Sequence, residues 1–206
     1  MLLKIYPQNP DQKKMDQALK ILKDGGNLIY PTDSVYSLGC DLLNHKAVQR
    51  VAAIKGVKAE KNHFTLIFKD LSTLSDYTLP FDTWVYKLMK KALPGPFTFI
   101  LKANNNVPKL FKSKKKTIGI RVPDNPIPRQ LVDMLGNPII STSIKDEDEV
   151  IEYTTDPELI YEKYKEQVDA VIDGGYMNNV ATTIVDCTGD APVIIRQGIG
   201  DLDEFL

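Results

Sequence analysis

Apolar residues recur along this chain with helical spacing in some stretches and as short unbroken runs in others. Between Pro10 and Lys23 the apolar positions Met15, Ala18, Leu19 and Leu22 follow a helical period, and Gly25-Gly26 supplies the stop. Asn27 to Tyr30 is a short apolar run that predicts a strand. Pro31 ends it, because proline offers no ladder N–H and holds the preceding residue extended. Thr32, Asp33 and Ser34 then form a polar turn. Asn44 caps a predicted helix whose Val48, Val51, Ala52 and Ile54 share a face. A strand is predicted from His63 to Phe68, and Asp82 opens a helix with Val85, Leu88, Met89 and Ala92 inward. Pro94-Gly95-Pro96 ends that helix before the strand Phe97 to Leu101.

The second half repeats the alternation less evenly. Thr117 to Val122 predicts a strand, and Pro126 and Pro128 suit the first turn of a helix that stops at Gly136-Asn137. Pro138 to Ser143 is another strand, Asp156 opens a helix to about Lys165, and further strands follow at Val168 to Asp173, Ala181 to Cys187 and Val193 to Ile195. Strands interleaved with short helices define an α/β class, a sheet with helices packed against it. The uneven connections favour a mixed, twisted sheet over a purely parallel one, with ligand groups on loops at strand ends. We expect one domain over residues 1–206, with no internal repeat.

Composition narrows the chemistry. A net charge of −1 and a pI near 6.1 exclude a globally basic nucleic-acid binder, so any such contact must be local. The local candidate is the run Lys109 to Lys116, where Lys112, Lys114, Lys115 and Lys116 form a basic patch with one interleaved aromatic, Phe111. Cys40 and Cys187 lie far apart without metal-ligand spacing, which fits reduced thiols and no metal site. No apolar run approaches the roughly 20 residues of a membrane span, and Met1 to Pro7 lacks a leader pattern, so the expectation is a cytoplasmic protein without membrane contact. The phosphate-loop, dinucleotide, zincin and serine-hydrolase motifs are absent, and His45 and His63 offer little for histidine catalysis.

What does recur is a hydroxyl or guanidinium at strand ends: Thr32 and Ser34, Thr117 and Arg121, Ser141 and Ser143, Thr182 and Thr183, Arg196. The Thr32–Ser34 turn reads equally as a self-capped turn or a ligand loop. Arg121 closes the apolar strand Ile118-Gly-Ile-Arg-Val-Pro123, so it answers either a bound anion or a carboxylate of its own chain.

The ordered segments Tyr30-Pro-Thr-Asp-Ser-Val-Tyr-Ser-Leu-Gly39, Phe64-Thr-Leu-Ile67, Pro94-Gly-Pro-Phe-Thr-Phe-Ile-Leu101, Ile118-Gly-Ile-Arg-Val-Pro123, Pro138-Ile-Ile-Ser-Thr-Ser143, Asp173-Gly-Gly175, Ala181-Thr-Thr-Ile-Val-Asp186 and Ile195-Arg-Gln-Gly198 resemble the YrdC/YciO family over nearly the whole chain. The resemblance is nearest to the YciO branch. It implies a three-layer fold with a mixed twisted sheet of about seven strands, helices on both faces and a concave basic cleft. It implies threonylcarbamoyl-AMP synthesis from L-threonine, bicarbonate and ATP with Mg²⁺, without a tightly bound cofactor. Double-stranded RNA or tRNA is a further implied partner. Carried over by position, Thr32, Ser34, Arg121, Ser143 and Thr182 would face the amino acid, and Lys55, Lys58, Thr117, Lys145 and Arg196 the nucleotide, with Lys55 as a charge neutraliser. The chemistry implied is templated, with no catalytic acid or base.

Four positions depart from the synthase pattern: Phe68 stands where a histidine is usual, Ser37 replaces the first glycine of Gly-Leu-Gly, and two signatures differ. Lys-x-Arg reads Lys55-Gly56-Val57 here, and Ser-x-Asn reads Ser143-Ile144-Lys145. The alternative these departures leave is a double-stranded RNA- or nucleotide-binding module without efficient synthesis.

Overall fold

The computed structural model describes residues 1–56, 64–108, 116–144 and 155–205. Along it run ten strands: β1 (Leu2–Lys4), β2 (Leu28–Tyr30), β3 (Ser37–Asp41), β4 (Thr65–Ile67), β5 (Phe97–Lys102), β6 (Thr117–Arg121), β7 (Ile139–Ser143), β8 (Ala170–Asp173), β9 (Thr183–Asp186) and β10 (Val193–Arg196). Five α-helices lie among the described residues: α1 (Gln12–Lys23), α2 (His45–Ile54), α3 (Thr83–Ala92), α4 (Pro126–Leu135) and α5 (Pro157–Tyr164). Their starts follow the local chemistry. The Asp11, Asn44, Asn125 and Asp156 side chains each accept a backbone N–H of the first helical turn.

All ten strands join one sheet, in the order β1-β8-β2-β3-β7-β4-β6-β5-β9-β10. The pairs β1–β8, β8–β2, β4–β6 and β5–β9 are parallel and the rest antiparallel, so the sheet is mixed as expected. Its ten strands correct the expected count of about seven. Ser37-Leu38-Gly39-Cys40-Asp41 has small and polar residues and no β-branched side chain, yet it is held as a strand because β2 and β7 hydrogen-bond to both its edges. β1 is three residues long, too short to show a period, and exists by pairing with β8.

The two faces of the sheet differ. Ile29, Leu38, Leu66, Phe99, Ile118, Ile120 and Ile140 form one, buried under α2, α3 and α5. On the other face Leu28, Tyr30, Ile67 and Ile139 meet α1 and α4 in a smaller apolar cluster. Beyond it the same face turns hydrophilic. Strand register places Ser37 beside Ser143, Gly39 beside Ser141, Ser141 beside Thr65, and Thr65 beside Gly119. A floor of hydroxyls therefore crosses the middle of the sheet where the apolar cluster stops.

Candidate active site

The hydroxyl floor exists because serine and threonine occupy the alternate, outward positions of strands whose other positions are apolar. Tyr30 marks its border. The Tyr30 phenol is fully buried and donates to Ser141 Oγ at 2.7 Å, and that burial pushes its pKa up, keeping the proton on the donor. A Cβ on Gly119 would come within 2.8 Å of Thr65 and 3.0 Å of Thr98, so both threonines crowd this glycine. Thr98 Oγ1 in turn lies 2.9 Å from Thr182 Oγ1, and the Thr182 carbonyl accepts from Arg196 Nη2 at 2.9 Å. This polar row links β4, β6, β5 and β9 to the edge strand β10.

Arg121 sits at the end of β6, where the floor meets the Thr32–Ser34 turn. Its Nη2 donates to Asp33 Oδ1 at 2.7 Å and lies 3.2 Å from Ser34 Oγ and 3.5 Å from Thr32 Oγ1. The Arg121 and Asp33 side chains are only 7% and 8% exposed, so this pair is desolvated and needs every bond it can make. Asp33 Oδ2 accepts the Asp124 N–H at 2.9 Å, which ties the turn to the segment after β6. Arg121 Nε is buried and has no hydrogen-bond partner among the described residues.

The turn caps itself. Thr32 Oγ1 donates to the Val35 carbonyl at 2.7 Å and accepts the Ser34 N–H at 3.1 Å, so it caps its own backbone. Ser34 Oγ meanwhile points to the guanidinium. Likewise Arg121 answers a carboxylate of its own chain, Asp33, and still keeps an unmatched donor. The far end of the turn is anchored by the Tyr36 hydroxyl, which donates to the Gly175 carbonyl at 2.7 Å and accepts the Gly174 N–H at 3.2 Å.

Of the expected amino-acid set, Thr32, Ser34 and Arg121 are brought together, and Thr182 is joined to the floor through Thr98. Ser143 stands at the end of β7, opposite Ser37, and lines a recess shared with Lys55 at the C-terminus of α2. Thr117 opens β6 beside Lys102, half-buried, and Arg196 closes β10. Lys116 is exposed next to Thr117. Lys58, Lys112, Lys114, Lys115 and Lys145 lie outside the described residues. Sequence reasoning placed Asp33 on the turn but did not pair it with Arg121, and it did not single out Thr65 or Thr98. Among the described residues no group of three or more His, Cys, Asp or Glu side chains could hold a metal ion, and no helix is long and apolar enough to cross a membrane.

Fold and site together define an α/β protein with a buried, oriented guanidinium at the edge of a hydroxyl floor. The Sua5/YciO/YrdC family model, described as telomere recombination, matches residues 20–198, and the chain belongs to this family. It is 44% identical over 204 residues to the uncharacterized protein YciO of Escherichia coli strain K12, covering 98% of this chain and 97% of that one. The threonylcarbamoyl-AMP synthase of Coxiella burnetii strain RSA 493 is 31% identical over 162 residues, covering 79% and 86%. Among solved structures, E. coli YciO superposes with a TM-score of 0.92 at 42% identity, covering 100% of this chain and 99% of that one. P. abyssi Sua5 complexed with L-threonine superposes with a TM-score of 0.87 at 25% identity, covering 96% of this chain and 57% of that one.

Proposed function

We propose that this protein is a threonylcarbamoyl-AMP synthase-like nucleotidyltransferase: it binds an amino acid, L-threonine by the family relation, at Arg121 and joins its carbamate to AMP from ATP. The observation that carries this is the guanidinium of Arg121, buried, aligned by Asp33, and left with a buried Nε that has no partner among the described residues. An unmatched buried donor costs about 1–3 kcal/mol, which a ligand carboxylate at that edge would relieve. Asp33 neutralises part of the charge but also fixes the guanidinium plane, so an arriving anion meets a donor group that is already oriented.

In the reaction the amine of L-threonine combines with bicarbonate, losing water, to give the carbamate. A carbamate oxygen then attacks the α-phosphorus of ATP, the bond to the β-phosphate oxygen breaks, and pyrophosphate leaves with the electron pair. No side chain needs to supply or take a proton at the reacting centre, so alignment and charge neutralisation do most of the work. Arg121 and Ser34 would hold the threonine carboxylate, with the Thr182 hydroxyl on the same floor. Arg196, Thr117, Lys55 and, beyond the described residues, Lys58 and Lys145 would face the phosphates. Mg²⁺ enters as part of the nucleotide substrate, where it neutralises phosphate charge. A cytoplasmic setting suits these substrates and the two free, buried thiols Cys40 and Cys187.

Calorimetric titration tests the amino-acid half. L-threonine should bind and L-threonine methyl ester, which lacks the carboxylate, should bind about tenfold or more weaker, since a hydrogen bond to a charged group contributes about 1.5–3 kcal/mol. Equal binding of acid and ester would remove Arg121 from carboxylate recognition. The second reading, a nucleotide- or double-stranded RNA-binding module, rests on Val57 and Lys145 standing in the two signature positions. It expects ATP or RNA binding that L-threonine does not alter.

A further inference from the structure

The chain leaves β8 at Asp173 and re-enters the sheet at Thr183, and in the strand order six other strands separate β8 from β9. Neighbouring strands lie about 4.8 Å apart, so crossing a flat sheet between them would take about 34 Å. The nine residues 174–182 reach about that far only when fully extended. So short a connection has no length to go round the helix layers. The sheet curls to bring its ends within reach, and the connection bridges the hollow of that curl. The Asp33–Arg121 contact bridges the same hollow, because β3, β7 and β4 stand between β2 and β6.

Both ends of this connection are fixed at the candidate site. Gly174 packs against Pro31, where an added Cβ would come within 2.6 Å of the proline ring, and the Tyr36 hydroxyl holds the Gly174 N–H and the Gly175 carbonyl. At the other end Ile199 N donates to the Ala181 carbonyl at 3.0 Å, and Thr182 is buried against Thr98. Between these anchors Tyr176 is 76% and Val180 45% exposed. Two contacts draw the middle aside toward α5: the Tyr176 hydroxyl donates to Asp156 Oδ2 at 3.1 Å, and Met177 N donates to the Thr155 carbonyl at 3.2 Å. Asp156 is held in place for this, since its Oδ1 caps α5. Gly175 supplies the hinge, with φ at +91° and nothing within 4 Å of an added Cβ.

We infer that residues 176–180 form a strap that swings from α5 onto the amino-acid pocket once L-threonine is bound, with the Tyr176–Asp156 bond as the latch of the open state. This rests on the amino-acid reading above and adds to it a moving part. The chemistry gives closure a purpose. The carbamate reverts to amine and bicarbonate in water, and the mixed anhydride it forms with AMP hydrolyses, so a pocket that shuts protects both. An exposed hydrogen bond suits a latch, because water replaces it at little cost when the strap moves.

The test is hydrogen exchange of the wild type and Tyr176→Phe, free and saturated with L-threonine, together with calorimetric titration of L-threonine into both. In the wild type the amides of residues 176–180 should exchange about tenfold more slowly with L-threonine bound, while those of α1 stay unchanged. Tyr176 is exposed, so Tyr176→Phe keeps the fold. The variant should exchange faster along the strap when free and bind L-threonine about two- to fivefold tighter, since its open state loses a hydrogen bond that the closed state does not make. Affinity in Tyr176→Phe equal to or weaker than wild type would overturn the latch. L-threonine binding that leaves exchange along the strap unchanged would overturn the closure and leave the amino-acid site standing. A wild type that does not bind L-threonine would end the amino-acid reading, and the strap with it.

Discussion

Arg121→Ala is expected to cost about 3–5 kcal/mol of stability as well as L-threonine binding, because it leaves the Asp33 carboxylate buried without its cation. With exposures of 7% and 8% for the two side chains, water cannot take the place of the missing partner. Urea unfolding measures the loss, and the partner substitution separates its two parts. Asp33→Asn combined with Arg121→Gln removes both charges, so stability should return most of the way while L-threonine binding stays absent. An Arg121→Ala protein within about 1 kcal/mol of wild type would show that Asp33 finds other solvation.

Gly198→Ala should be the most damaging of the single-methyl changes near the site. An added Cβ would fall against the Ala181 carbonyl oxygen and the Thr182 carbonyl, which are backbone atoms that cannot swing aside. The same backbone crossing is closed by Gly198 N donating to Thr183 Oγ1 at 2.9 Å and Ile199 N donating to Ala181 O at 3.0 Å. Relief of the clash must move Thr182, which carries the contacts to Thr98 and Arg196. Overpacking of this kind costs about 1–3 kcal/mol. Loss of ATP binding should accompany it. Gly189→Ala is the control, because nothing lies within 4 Å of its added Cβ. Equal melting temperatures for the two variants would contradict the close crossing.

Helices and most strands were legible because their signals are local. Asn44 and Asp156 sit where caps are needed, and the apolar spacing of α1 to α3 survives into buried faces. β3 was not legible, since Ser37, Gly39 and Asp41 have no strand preference of their own and are ordered by neighbours on both sides. The site divides the same way. Hydroxyls and arginines at strand ends pointed to Thr32, Ser34, Arg121 and Thr182, but the partner of Arg121 lies 88 positions away in the chain. Only the packing of β6 against the Thr32–Ser34 turn brings Asp33 to it. Thr65 and Thr98 read as ordinary members of apolar strands until register puts them on the hydroxyl floor.

The synthase reading depends on one coupling, between the amino-acid pocket at Arg121 and the phosphate groups at Arg196, Thr117 and Lys55. Pyrophosphate released from ATP, measured with and without L-threonine and bicarbonate, tests it most directly. The prediction is release that requires both L-threonine and bicarbonate and that disappears in the Asp33→Asn/Arg121→Gln double variant. Release at the same rate without L-threonine, or none under any condition, would contradict it.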